Sequence, residues 1–199
     1  METNKRKQHI IDAAKRTMRH HSIQEVSMRK IAEEAGMTTG AIYHFYSGKD
    51  ELLFDVMKEQ LHFTTKLYEN VRNNIETKRG EELVGEINSL VEKRIRKVEE
   101  QKVHIQVIGD ILKGKCKIES EFVKNYQNMI DSTAELFYQA FGIENNEDKL
   151  KVASLLVAAI DGIAIQQSLG VLPSNLDDTI DNFISFFNET IPYYLKNHQ

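Results

Sequence analysis

The chain has 199 residues, of which 41% are hydrophobic and 28% charged, with a net charge of −4. That is enough chain to bury one ordinary core or two small ones, and the balance excludes an intrinsically disordered polymer. A single cysteine, Cys116, excludes an internal disulfide, and the charged start Met1–Lys7 lacks the apolar stretch of a signal peptide, so we expect a cytoplasmic protein.

Only two prolines and ten glycines interrupt the chain, and apolar residues recur at helical spacing throughout. Ile10, Ile11, Ala14 and Met18 share one face of a helix expected from about Asn4 to His20. Ser27 can cap a short helix Met28–Ala35, which Gly36 closes. Thr38 or Thr39 can open the next helix, running to about Tyr46, and Ser47 can cap a long one from Lys49 to before Gly80. Further helices are expected at about 81–100, 102–113, 119–141, 147–170 and 177–197, with Gly80, Gly114, Gly142 and Gly170 near their ends.

The last two helices stand apart. Residues 152–165 are apolar nearly all round, and Ile180, Phe183, Ile184, Phe187 and Ile191 form a stripe in the final helix. Such helices must be buried on most faces, which suggests a subunit interface through residues 147–197, with an intramolecular core as the alternative. No apolar run approaches the ~20 residues of a membrane span, so no membrane partner is expected.

The charge is unevenly placed. Residues 1–50 hold nine basic and six acidic residues, a net +3, which leaves −7 for the remainder. An anionic partner for the N-terminal end follows from that asymmetry. In the same segment, two short helices joined at Gly36-Met37 and preceded by a basic amphipathic helix form a helix-turn-helix pattern. The second short helix begins with Thr38, Thr39, Gly40 and Ala41, small enough to let a helix N-terminus sit deep in the major groove. Threonine methyls can meet thymine methyls, and Tyr43 and His44 are the larger donors for backbone or base edges. Arg29, Lys30 and Lys49 are candidates for phosphate.

The stretch Met28 to Leu53 resembles the DNA-binding signature of the TetR family: Ile31-Ala32, Ala35-Gly36, Gly40, Tyr43, Phe45 and Lys49 stand in one register. The resemblance covers about residues 5–55, with Tyr46 where phenylalanine is usual and Ser47-Gly48 in place of the more common pair before the lysine. It implies an all-α protein in which residues 1–48 form a three-helix DNA-binding domain and residues 49–199 a helical effector-binding and dimerisation domain. It also implies that Tyr43 and Lys49 contact phosphates, that the helix from Thr38 reads DNA, and that the last two helices form the dimer. The function implied is a ligand-responsive regulator, most simply a repressor, bound as a homodimer to a near-palindromic operator and released by a small molecule.

For the effector, polar or aromatic groups on otherwise apolar helices are the candidates: Phe63, His104, Gln106, Tyr126, Phe137, Asp161, Gln166 and Gln167. No basic cluster marks these helices, which points to an apolar or cationic effector. Other signals are weaker. Gly109 to Cys116 nearly spells a phosphate-binding loop but has cysteine where Ser or Thr must hold magnesium, and no sheet surrounds it. Cys116 among Lys113, Lys115 and Lys117 could serve as a redox thiol, though a lone loop cysteine is usually inert. The histidines lack metal spacing, and Asn145–Asp148 lacks the glycine and terminal glutamate of a calcium loop. With no nucleophile–base pair, no enzyme activity and no cofactor are expected.

Overall fold

The computed structural model describes residues 2–21, 24–73, 80–114, 119–141 and 146–197. Among these the regular elements are helices: α1 (Glu2–His20), α2 (Met28–Ala35), α3 (Thr39–Tyr43), α4 (Lys49–Asn73), α5 (Glu81–Arg96), α6 (Val98–Leu112), α7 (Glu119–Phe141), α8 (Asn146–Leu169) and α9 (Leu176–Asn197). The fold is all-α, as expected. Two compact units share the chain: Met1–Gln60 with Lys102–Asn125, and Leu61–Gln101 with Tyr126–Gln199. All three crossings between them fall inside helices, in α4, α6 and α7.

In the first unit the apolar face of α1 is buried through Ile10, Ala14 and Met18, with Ile31 of α2 and Ile42 of α3 fully enclosed. Leu52, Leu53, Val56 and Met57 do the same for the first turns of α4. In the second unit Ile95, Phe137, Ala153, Leu156, Ile160, Ile180 and Leu195 form one core drawn from α5, α7, α8 and α9.

Several boundaries differ from the sequence reading. The break expected near residue 101 falls at Lys97, whose N–H donates to the Arg94 carbonyl (3.2 Å) while Gln101 Nε2 donates to the same oxygen (3.2 Å). Neither proline nor glycine marks that turn, so no local signal announced it. α3 stops at Tyr43 rather than Tyr46, because Phe45 and Tyr46 N–H groups both fold back on the Ile42 carbonyl. Gly80 has φ +61° but begins α5 rather than closing α4. Gly170 does close α8: its N–H reaches Gln167 O and that of Val171 reaches Gln166 O. The expected roles of Gly142 and Cys116 lie outside the described residues.

α8 overturns the expectation about apolar runs. Asp148–Leu169 is long and apolar enough to cross a membrane by length and composition. In the second unit, however, one face of it packs into the core through Val152, Ala153, Leu156, Ile160 and Ala164. Leu155, Ala158, Ile165 and Leu169 lie exposed, with Gly162 half-buried between them, and their spacing makes a second stripe down the helix. α9 repeats the division. Its predicted stripe of Ile180, Phe183, Ile184, Phe187 and Ile191 belongs to the core, while Phe186 and Tyr193, seven residues apart, are 61% and 72% exposed.

Candidate nucleic-acid interface

The turn between α2 and α3 is built by three local devices. Ser27 Oγ accepts the Lys30 N–H at the start of α2. At its end Gly36, at φ +63°, donates to Glu33 O (3.2 Å) and Met37 to Ala32 O (2.9 Å), the paired bonds of a Schellman close. Thr38 Oγ1 then accepts the Ala41 N–H (3.2 Å), so Thr38 rather than Thr39 is the cap of α3.

α1 holds this turn in place from behind. The His9 ring N–H donates to the Ala35 carbonyl (2.8 Å), occupying an acceptor that the end of α2 leaves over. Arg16 Nε pairs with Glu34 at 2.6 Å, and Arg29 Nε with Glu33 at 2.9 Å, one turn along the same helix. Exposed pairs of this kind add little stability. Their effect here is on charge, since both carboxylates of α2 carry an arginine partner.

The outer surface carries the predicted residues. Tyr43 is 53% exposed, and Thr38, Gly40 and His44 are exposed, while Thr39 and Ala41 are half-buried on the same short helix. Arg29 is exposed; Lys30 is half-buried with its Nζ 3.5 Å from His21 Nδ1. Lys49, half-buried, opens α4. All nine predicted DNA-binding residues thus belong to the first unit, on or beside the two short helices.

The aromatic pair after α3 divides between surface and core. Phe45 is half-buried and stands edge-on to His44 (5.3 Å between centroids, 86°). Tyr46 takes the core place at 1% exposure, its hydroxyl donating to Asp55 Oδ2 (3.2 Å) and Lys7 Nζ lying 4.9 Å over its ring. A hollow of about 210 Å³ opens beside His44 and Phe45, and its other walls are Thr3 and Arg6 of α1. Sequence reading passed over Arg6, although the basic run Lys5-Arg6-Lys7 was its signal. Ser47 was expected to accept a helix N–H. Instead its backbone N–H (2.7 Å) and hydroxyl (2.8 Å) both donate to Glu51 Oε2. These bonds, the backbone one foremost, hold the Glu51 carboxyl below its ordinary range.

The predicted effector residues do not form one cluster. His104 and Gln106 belong to the first unit, where His104 is buried against Phe122 (5.6 Å between centroids) and Gln106 is exposed. Tyr126 and Asp161 come together in the second unit, which also holds Phe137 in its core; Gln166 and Gln167 lie at its α8 end, exposed and half-buried. The Phe63 side chain lies outside the described residues. Tyr126 donates its hydroxyl to Asp161 Oδ2 (2.6 Å), and Arg94 Nη2 pairs with Asp161 Oδ1 at 2.8 Å. Burial, followed by the bond to Asp161, raises the Tyr126 hydroxyl well above the usual phenol range and keeps it a donor. Arg94 was missed because it reads as one more cation in the last turn of α5, beside Lys93 and Arg96.

Residues 10–56 match the family model described as bacterial regulatory proteins, tetR family. The regulator BetI of Agrobacterium fabrum is 36% identical over 56 residues, which is 28% of this chain and 27% of that protein. The regulator PksA of Bacillus subtilis is 27% identical over 87% of this chain and 83% of its own. Among solved structures, Salmonella enterica GusR superimposes with a TM-score of 0.71 at 19% identity, covering 96% of this chain and 95% of that one. The helix-turn-helix of the first unit and these likenesses agree: residues 10–56 carry the DNA-binding domain of the tetR family of bacterial regulatory proteins, and the chain as a whole shares the fold of its solved neighbours.

Proposed function

We propose that the protein is a repressor that binds a near-palindromic operator as a homodimer and is released by a small-molecule effector. The observation that carries this is the α2–α3 turn, which holds Thr38, Gly40, Tyr43 and His44 outward on a short helix whose Ile42 is fully buried. Residues 1–48 act as the DNA-binding domain and residues 49–199 as the effector-binding and dimerisation domain. Tyr43 and Lys49 take phosphates, with Arg29 and Lys30 beside them; Thr38, Thr39, Gly40, Ala41 and His44 approach the major groove. Arg6 joins His44 on the same side through the hollow they share.

The homodimer forms through residues 147–197. Its support is the second apolar stripe of α8 and the exposed Phe186 and Tyr193 of α9, since exposed apolar patches of this kind mark interaction surfaces. Ala158 and Gly162 at the centre of the α8 stripe favour close approach of a partner helix. That pairing accounts for the apolar length of α8 without a membrane, and we place the protein in the cytoplasm with its DNA.

The test is binding of the full chain to labelled DNA from upstream of its own gene, across a salt series, for wild type and Tyr43→Ala. We expect tight binding that falls steeply with salt, and a slope reduced by about one for the variant, as for one lost phosphate contact. No preference for that DNA or for any selected palindrome, with a monomer in solution, would overturn the reading.

A further inference from the structure

We propose that the effector is an amphipathic anion, with a long apolar body and one acidic head group, and that the head group takes Arg94 over from Asp161. The inference rests on the effector-responsive reading above and names the chemistry of that site. Two hollows lie inside the second unit, of about 40 and 20 Å³. They share Ile87, Val91, Phe137 and Leu156 as walls, so they lie side by side with only these side chains between them. Apolar side chains make up most of both linings, and the smaller hollow ends among Phe183 and Phe187. Arg94 is the one charged residue on either wall among the described residues.

Arg94 is held by an ion pair that is itself largely buried, with 17% of its side chain and 14% of that of Asp161 exposed. A guanidinium so placed cannot lose its counter-charge cheaply. A neutral ligand therefore leaves the pair as it is, and a cation meets Arg94 head on. An anion with carboxylate geometry can replace Asp161 without leaving the guanidinium bare, because it offers the acceptor oxygen that Asp161 Oδ1 now supplies. The hollows are far below the about 300–1,000 Å³ of a ligand site, so a ligand enters by turning aside the aromatic rings that fill the slot. A narrow, unbranched body demands the least of that rearrangement.

The exchange has a mechanical output. Arg94 lies on α5, Asp161 on α8 and Tyr126 on α7. When an outside anion holds Arg94, the α5–α8 tie is cut while Tyr126 keeps its bond to Asp161. The helix released is the one that bears the exposed stripe of Leu155, Ile165 and Leu169.

Isothermal titration of the full-length protein without DNA tests this with three probes of equal chain length: dodecanoate, dodecan-1-ol and dodecyltrimethylammonium, all below micelle concentrations. We expect dodecanoate to bind about tenfold or more tightly than the alcohol, the gain of a charge-assisted bond. Arg94→Met should erase that preference, and Asp161→Asn should tighten dodecanoate binding by removing its competitor. Because Arg94→Met leaves Asp161 buried alone, the double variant Arg94→Met/Asp161→Leu, with both charges removed, serves as the folded control and should also bind acid and alcohol alike. Preference for the ammonium, lost in Asp161→Asn, would overturn the proposal, as would absence of binding by all three probes. Operator binding by the same preparations is scored separately, so loss of the ligand inference alone and loss of the repressor reading give different results.

Discussion

Gly36 shows how a single backbone angle sustains the DNA-facing turn. Its φ of +63° suits glycine, and a Cβ there would meet nothing within 4 Å. The cost of Gly36→Ala is therefore purely conformational, about 1 kcal/mol, and thermal unfolding should show a correspondingly lower midpoint without loss of helix content. Glu51 works through charge. Its folded carboxyl titrates below the ordinary value of 4.5, so the stability it adds is fully present above that value and is lost as pH falls through its lowered pKa. Glu51→Gln should remove this part of the acid sensitivity and leave neutral-pH binding of DNA intact; an unchanged acid titration curve would show that the Ser47 bonds carry no weight. At this scale the sequence was informative for Gly36, Ser27 and Thr38, whose roles are local. It was uninformative for Tyr46, Asp55 and Lys7, which meet only through folding.

Among elements, the short helices were the most legible, because caps and glycine fix them within a few residues of chain. The α5–α6 break was not, since it depends on Gln101 reaching back to a carbonyl rather than on a helix breaker. α8 was half legible: its apolar character on all sides was plain, but which face met the core required the packed unit. The inner stripe of α9 is equally plain, but spacing alone leaves an interface and an intramolecular core open, and packing puts this stripe in the core. The dimer prediction belongs to the outer stripe. Leu155→Glu places an unpaired charge where the proposed partner helix packs, so sedimentation should show a monomer with unchanged helix content. A change at Ile160, on the inner face, would instead lower stability without that selective effect.

For the molecule as a whole, the sequence conveyed fold class and DNA-binding register because both follow from periodicity and short motifs. It could not convey the Arg94–Asp161–Tyr126 cluster, whose members are 35 and 67 residues apart. Its expectation of an apolar or cationic effector rests on the absence of a basic cluster in the sequence, and the anionic proposal rests on Arg94 at the cavity wall. One feature of the chain path bears on engineering. Because the chain passes between its two units within α4, α6 and α7, none of the three passages is a loop at which one unit could be exchanged for that of another regulator. A chimera must be spliced inside helices and in phase, since a slip of one residue turns everything beyond the seam by about 100°. The two units of this protein are thus joined by continuous helix, and a new pairing has to respect helical phase at every seam before any question of recognition arises.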